Sequence, residues 1–323
     1  MSTTPLPKRI SQTVEDCDPS SRLILDEAER RGIGIEVLAP RAEYFRLTRG
    51  SRSIVCRESL SELTHAVALS RCDDKRTTSR LLREAGVRTP AQQESSGRAR
   101  DEAFLAQHGA IVVKPARGEQ GKGISVGIRS APALRDAIAR AAEVSTPVLL
   151  EELVYGHDLR LIVIAQQLVA AAVRCPPRVT GDGQTPLRTL IERQSQLRAA
   201  KTAGASKIPL DAETERCVRE AGFTLDDVPP SGKAVVVRAA ANVHQGGTIH
   251  DVTAEVHPAL IEVARHAANA LDLPVVGLDL IVPSVSGPDY WVLEANERPG
   301  LANHEPQPTA QRFVDFLFPE TAS

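Results

Sequence analysis

The chain has 323 residues, and its 39 Lys plus Arg against 41 Asp plus Glu give a formal net charge of −2, which disfavours a nucleic-acid binder working through a large basic surface. Hydrophobic residues at 42% and charged residues at 25% exclude whole-chain disorder, and the length allows about two domains. No run of ~18 apolar residues suits a membrane span. The N-terminus lacks the apolar core of a signal peptide. The five cysteines are scattered, odd in number and without a Cys-x-x-Cys pair, so neither a zinc site nor a disulfide framework is indicated. A reduced cytoplasmic compartment is the expectation.

Residues 1–19 read as a loose polar arm. Ser20 to Arg31 reads as a helix stopped by Gly32, and Ile33 to Leu38 as a strand. Glu58 to Ser70 and Asp74 to Ala85 are expected to be helices, and Gln92 to Arg100 a loop. Ile111 to Pro115 and Ile124 to Ile128 are strands around a glycine-rich turn, followed by a helix from Pro132 to Val144 and a strand from Val148 to Leu153. Leu159 to Ile164 and Leu168 to Arg174 form a hairpin turning at Gln166-Gln167, or alternatively one buried helix. Helices are expected over Thr185 to Ala200, Asp211 to Ala221 and Pro258 to Leu271. The last has Leu260, Ile261, Ala264, Ala267, Ala268 and Leu271 on one face. Strands are expected over Ala234 to Ala239, Val275 to Val282 and Tyr290 to Ala295. Such a mixture predicts α+β layers.

Four constellations can carry chemistry. In Lys114-Pro115-Ala-Arg117-Gly118-Glu119-Gln120-Gly121-Lys122-Gly123, three glycines between two strands can bring backbone N–H groups close to a phosphate. No helix with Gly-Lys-Ser/Thr follows, so it is not a Walker loop, and by itself a flexible hairpin turn is equally open. The second constellation is acidic. Asp279 interrupts an apolar strand, and Glu294 and Asn296 share one face of the next by the period of two. If the strands pair antiparallel, Asp279 joins them in a hard, all-oxygen set suited to Mg²⁺ with phosphates. A lone buried carboxylate in that strand would be costly, which favours metal over a strand-end cap. Third, a strand ends at Glu151-Glu152-Leu153, and His157, Asp158 and Arg160 follow the Gly156 turn. Fourth, Arg238 on a strand precedes Asn242, His244 and a Gly246-Gly247 turn, and could offer a guanidinium to phosphate.

In this order the four resemble the ATP-grasp superfamily over about residues 70–310. Asp73-Asp74-Lys75 is similar to the family's entry helix, which makes Lys75 a phosphate ligand. Lys114 matches the second nucleotide lysine, and Gly118, Gly121, Lys122 and Gly123 the mobile loop over the phosphates. Glu151, Glu152 and Leu153 match the adenine hinge and Asp158 the ribose carboxylate. Asp279, Glu294 and Asn296 match the metal ligands, while Arg238 and Asn242 lie where the family meets the transferred phosphoryl group. Thr180-Gly181-Asp182-Gly183 and Gly246-Gly247-Thr248 resemble cyanophycin synthetase and the glutathione-synthetase module of fused bacterial enzymes. Cys56-Arg-Glu58 through Lys75 resembles N-acetylglutaminylglutamine synthetase. Glu297 and Arg298 stand where relatives often have small residues, which points to a different acceptor.

The resemblance implies an ATP-grasp fold of two α+β subdomains gripping ATP. Residues 1–69 would be a short N-terminal α/β segment and 70–150 the lid subdomain. Residues 151–323 would be the C-terminal subdomain, carrying the metal site and an inserted 175–233 region. No acetyltransferase or Mur-ligase domain is recognisable, so a stand-alone or trimmed ligase is expected. The implied reaction joins a small-molecule carboxylate and an amine, with ATP and two Mg²⁺ ions (Mn²⁺ substituting), through an acyl phosphate, on glutamine-type amino acids or a small peptide. Arg238 and Lys114 would be the catalytic residues. No nucleic-acid or membrane partner is implied, and a homo-oligomer is left open. The alternatives are a non-catalytic ATP-binding regulatory module and a small-molecule kinase on the same nucleotide site.

Overall fold

The computed structural model describes residues 17–39, 43–118, 121–202, 204 and 206–322. Most of the expected N-terminal arm, together with Glu119 and Gln120 of the glycine-rich loop, lies outside the described residues. The first half of the chain contains α1 (Pro19–Arg30), β1 (Gly34–Val37), β2 (Tyr44–Arg49), β3 (Arg52–Arg57), β4 (Leu60–Ser61), α2 (Ala66–Asp73), α3 (Lys75–Glu84), β5 (Gln92–Glu94), α4 (Arg98–His108), β6 (Ile111–Pro115), β7 (Ser125–Ile128), α5 (Ala131–Val144) and β8 (Val148–Glu152). The second half contains β9 (His157–Ile164), β10 (Gln167–Cys175), β11 (Arg178–Thr180), α6 (Leu187–Lys201), α7 (Ala212–Glu220), β12 (Ala234–Val236), β13 (Thr248–Asp251), α8 (Pro258–Leu271), β14 (Val275–Val282), β15 (Trp291–Asn296) and α9 (Thr309–Leu317). The class is α+β, as the pattern predicts. No helix among the described residues is long and apolar enough to cross a membrane. No disulfide joins any of the five cysteines.

The chain divides into two compact units, each discontinuous in sequence. The first comprises Met1–Thr89, Leu159–Ala172 and Asp251–Ser323. Its entry helix α1 starts where the Asp18 carboxylate accepts the Ser20 and Ser21 amides at 2.8 and 3.1 Å, a cap that satisfies two otherwise orphaned donors. The buried face of α1, with Ile24, Leu25 and Ala28, joins Phe45, Leu47 and Ile54 of the β2–β3 hairpin and Phe313, Val314 and Leu317 of α9 in one core. Phe45 pairs with Cys56 and Leu47 with Ile54, so one face of the hairpin is apolar and the other presents Arg and Thr. Each fully buried Leu, Ile or Phe contributes about 1.5–3 kcal/mol.

The helix expected over Glu58 to Ser70 is not formed as such. Glu58 takes a left-handed turn at φ +52°. Glu62 then accepts the Val55 amide at 3.0 Å, which keeps the chain in sheet as β4. Helix α2 begins only after His65, whose Nδ1 accepts the Ala68 amide. Further along, α8 buries Leu260, Ala264, Ala267, Ala268 and Leu271 as its spacing predicts. In this unit the strands lie in the order β10-β9-β14-β15.

The second unit comprises Pro90–Asp158 and Val173–His250. Its four-stranded sheet has the order β5-β8-β6-β7. Phe104 and Leu105 of α4 and Leu134, Ala137 and Ala141 of α5 form a core with Ile111, Val113 and Leu150. The expected loop over Gln92 to Arg100 is instead strand β5 and the start of α4. Its residues are polar because β5 is fixed by backbone pairing to β8, Gln92 opposite Glu151, rather than by an apolar face. A separate core of Val179, Leu187, Ile191, Val218, Val235 and Val237 holds residues 178–237 together.

Candidate active site

The predicted site residues fall into two groups, one in each unit. In the first unit, β14 and β15 pair antiparallel, with Asp279 directly opposite Glu294 and Gly277 opposite Asn296. That register brings together the three residues whose alternation predicted a shared face. A bulge follows, because Leu280 pairs with Val292 and skips a residue on β15. Asn296 Nδ2 donates to Glu294 Oε1 at 3.4 Å. Lys75 is the first residue of α3 and lies 3.8 Å from Glu294, its charge largely buried at 11% exposure. Just before it, the Asp74 carboxylate caps α3 through the Arg76 amide and also grips the Arg76 guanidinium. Burial pushes the nearby Cys72 thiol up to about 12, and the charges of Glu297 and Glu294 add to it. These surroundings favour the neutral thiol.

Sequence reasoning gave no role to Arg160, yet it holds Asp279. Its Nε and Nη2 donate to the two carboxylate oxygens at 2.6 and 2.8 Å. A signal existed: Arg160 is the last charge before the apolar run Leu161 to Ile164, on the strand beside β14. The bidentate bond explains how Asp279 is tolerated at 5% exposure. An ionised carboxylate offers about four lone-pair positions, and the two Arg160 bonds take one on each oxygen. Two facing carboxylates and an amide thus fit a hard divalent cation. Among the described residues no group of three or more His, Cys, Asp or Glu side chains is placed to hold a metal.

In the second unit, Lys114 and Glu151 form a buried ion pair of 2.6 Å, at 5% and 4% exposure. They lie on neighbouring strands, one step diagonal in the register that pairs Val112 with Glu151 and Lys114 with Leu149. Gln92 also donates to Glu151 at 2.9 Å. The three ammonium hydrogens of a lysine leave Lys114 capacity beyond this one bond. At the expected hinge, the Glu152 amide donates to Ala91 at 2.8 Å and the Leu153 amide to Ala110 at 3.4 Å. Asp158 accepts Nε and Nη2 of Arg174 at 2.9 and 2.7 Å.

The glycine-rich loop is built on left-handed turns. Gly121 and Gly123 have φ of +75° and +72°, and a Cβ on Gly123 would come within 2.9 Å of Val144. Lys122 between them is exposed. A Cβ on Gly121 would lie 3.9 Å from Asn242 Nδ2, so the loop and the Asn242 segment are neighbours. Arg238, close behind in sequence, is fastened at 5% exposure. It donates to Asp211 at 2.7 Å, to Thr214 at 2.9 Å and to Gln245 at 3.0 Å.

Residues 72–301 match the model of the ATP-grasp domain. The chain belongs to the ATP-grasp family. Cyanophycin synthetase of Trichormus variabilis is 32% identical over 320 residues, covering 94% of this chain and 35% of that protein. The bifunctional glutathione biosynthesis protein GshAB of Listeria innocua is 29% identical over 321 residues, covering 94% of this chain and 42% of its own length. The chain thus spans about a third to two fifths of the length of these relatives. Among solved structures, a bifunctional glutathione synthetase from Pasteurella multocida superposes with a TM-score of 0.67 at 24% identity, over 95% of this chain and 44% of that one. D-alanine–D-alanine ligase from Bacillus anthracis gives 0.51 at 13% identity, over 80% and 70%. Both likenesses establish the ATP-grasp fold.

Proposed function

We propose that the chain is an ATP-dependent, ADP-forming carboxylate–amine ligase acting through an acyl phosphate on glutamine-type amino acids or a small peptide. The observation that carries this reading is the Asp279–Glu294 register pair with Asn296, in a chain whose family match spans residues 72–301. The glutamine-type substrate rests on the sequence resemblance to N-acetylglutaminylglutamine synthetase.

A carboxylate is a poor electrophile at neutral pH. Its oxygen attacks the γ-phosphorus of ATP, ADP leaves, and the acyl phosphate then loses phosphate as the amine attacks the carbonyl carbon. In-line transfer of this kind needs positioning and charge neutralisation more than covalent help from the protein. Lys75 and Lys114 neutralise phosphate charge. Magnesium held by Asp279, Glu294 and Asn296, as two ions that manganese can replace, would supply further charge neutralisation. Arg160 orients Asp279, and in this reading Asp158 binds the ribose. Glu151, Glu152 and Leu153 border the base. Gly118, Gly121, Lys122 and Gly123 close over the phosphates and exclude water from the acyl phosphate. Arg238, aimed by Asp211, stabilises the acyl phosphate during attack.

The test is ADP release with Mg-ATP over pairs of amino acids led by glutamine and N-acetylglutamine, with mass spectrometry of the products. An amine-dependent signal matched by a new amide mass is expected, and Lys114→Ala and Glu294→Ala should each abolish it. Near-normal turnover in either variant overturns the assignment of that residue. A stable phospho-product without amide would make the chain a kinase, and ATP binding without turnover across the panel a binding module.

A further inference from the structure

The segment Asn296-Glu297-Arg298-Pro299-Gly300 leaves the carboxylate strand β15 and is fastened to the turn after β3. The Ser59 hydroxyl, fully buried, donates to the Pro299 carbonyl at 2.7 Å. Arg298 Nη1 donates to Glu58 Oε1 at 2.8 Å. Pro299 in turn seats on Gly277, where an added Cβ would lie 3.0 Å from the proline Cβ and 3.8 Å from Arg160 Cζ. Gly277 is the register partner of Asn296. The Glu58–Arg298 pair is therefore tied rigidly, through two residues, to Asn296 and to the Arg160–Asp279 pair.

As a purely structural ion pair this one is incomplete. A guanidinium carries five N–H donors, and among the described residues Arg298 uses one of them. Glu58 uses one of its two oxygens. Both side chains remain reachable, at 22% and 29% exposure. Glu58 is also held at φ +52°, a left-handed conformation that is unfavourable for a residue with a Cβ and persists where the surroundings enforce it. Burial pushes the Glu58 carboxyl up from its ordinary value; Arg298 opposes this, while Asp18 adds to it. Asp18 Oδ2 is itself buried without a hydrogen-bond partner among the described residues. The surroundings of Glu58 would thus gain from one more positive charge, and Arg298 has donors to spare for a carboxylate.

We propose that Glu58 and Arg298 form a head-group clamp for an α-amino-acid substrate, Arg298 taking the α-carboxylate and Glu58 the α-ammonium. The clamp determines specificity and rests on the ligase reading. It gives a role to Arg298, one of the two charged residues, with Glu297, whose presence after Asn296 points to a different acceptor.

The test is direct binding to the full chain loaded with a non-hydrolysable ATP analogue and Mg²⁺. The twenty L-amino acids are the probes, followed by the α-carboxamide and N-acetyl derivatives of the tightest. Amidation and Arg298→Ala should each weaken binding by about 10-fold or more, the scale of losing a charge-assisted bidentate contact. Glu58→Gln should weaken the free amino acid but not its N-acetyl form. The double exchange Glu58→Arg with Arg298→Glu keeps an ion pair, so it should keep the melting temperature while losing the amino acid. Recovery of binding in that double variant would reduce the pair to a structural one. Equal affinity for acid and amide, or no amino acid bound by the wild-type chain, also overturns the clamp. Turnover with an unchanged KM in Arg298→Ala removes the clamp and leaves the ligase. Binding as predicted without ADP release removes the ligase and leaves the clamp.

Discussion

The Asp211 carboxylate accepts the Thr214 amide at 3.0 Å, capping α7, and the Arg238 guanidinium at 2.7 Å. Burial alone would raise its pKa, but the Arg238 bond, the Thr214 amide and the arginine's charge outweigh that, so it lies below the ordinary aspartate value. A carboxyl depressed on folding stabilises the native state above its unfolded pKa, and the contribution is lost as pH falls through the folded value. Asp211→Asn should therefore destabilise the protein at neutral pH by about 1 kcal/mol, a modest figure because the carboxylate is half exposed. The difference from wild type should shrink as pH drops through and below ~3.9. Urea midpoints of both proteins across that range check it, and a difference independent of pH would sink the pairing argument. Arg238 stands out in the sequence as an arginine before a small-residue run, but the strand expected to carry it ends at Val236, two residues short of it. Its partner does not stand out, because Asp211 lies on a different element and nothing local marks the contact. The same holds for Arg160 and Asp279, which meet only when β9 lies beside β14.

Elements with an unbroken apolar period were readable, and those fixed mainly by backbone pairing or by a single odd dihedral were not. Strand β14 announces itself as an apolar run, and β15 and helix α8 through alternation and helical spacing. Strand β5 is polar and pairs by its backbone, so its pattern carries no signal. The β2–β3 hairpin alternates, with Phe45, Leu47, Ile54 and Cys56 inward, but its many arginines obscure the pattern. The β9–β10 hairpin was expected to turn at Gln166-Gln167; it turns one residue earlier. Ala165 and Gln166 both take left-handed values, φ +49° and +66°. Two successive left-handed residues match the tight turn that favours Asn-Gly, and each non-glycine there costs about 1–2 kcal/mol. Replacing Ala165→Asn together with Gln166→Gly should raise stability by about 1–2 kcal/mol. The denaturant midpoint should move up with an unchanged slope. No gain, or a loss, would mean that the Gln166 side chain contributes more than its backbone costs.

At the scale of the molecule, each unit has buried apolar clusters of its own: one that joins α1, the β2–β3 hairpin and α9 in the first, and those around Leu134 and around Val179 in the second. Each unit is stitched from distant stretches of chain, which explains why sequence patterning could name the elements but not their grouping. Residues 159–172 belong with the two ends of the chain, and no local feature of that stretch says so. Separate cores bear on cooperativity, since a chain of several domains need not unfold in one step. The protein has a built-in reporter. Its one tryptophan, Trp291, lies on β15 in the first unit, with the Arg88 guanidinium 5.5 Å from its ring centre. Leu134, 1% exposed on α5, sits in a core of the second unit. Leu134→Ala should cost about 2–5 kcal/mol, the transfer energy plus the cavity left behind. If the two units unfold independently, that loss should shift the far-ultraviolet dichroism transition, to which the helices of the second unit contribute. It should leave the tryptophan fluorescence transition nearly in place. Dichroism and fluorescence curves that stay superimposed and move together would instead show that the second unit's core supports the first, and would refute independent unfolding.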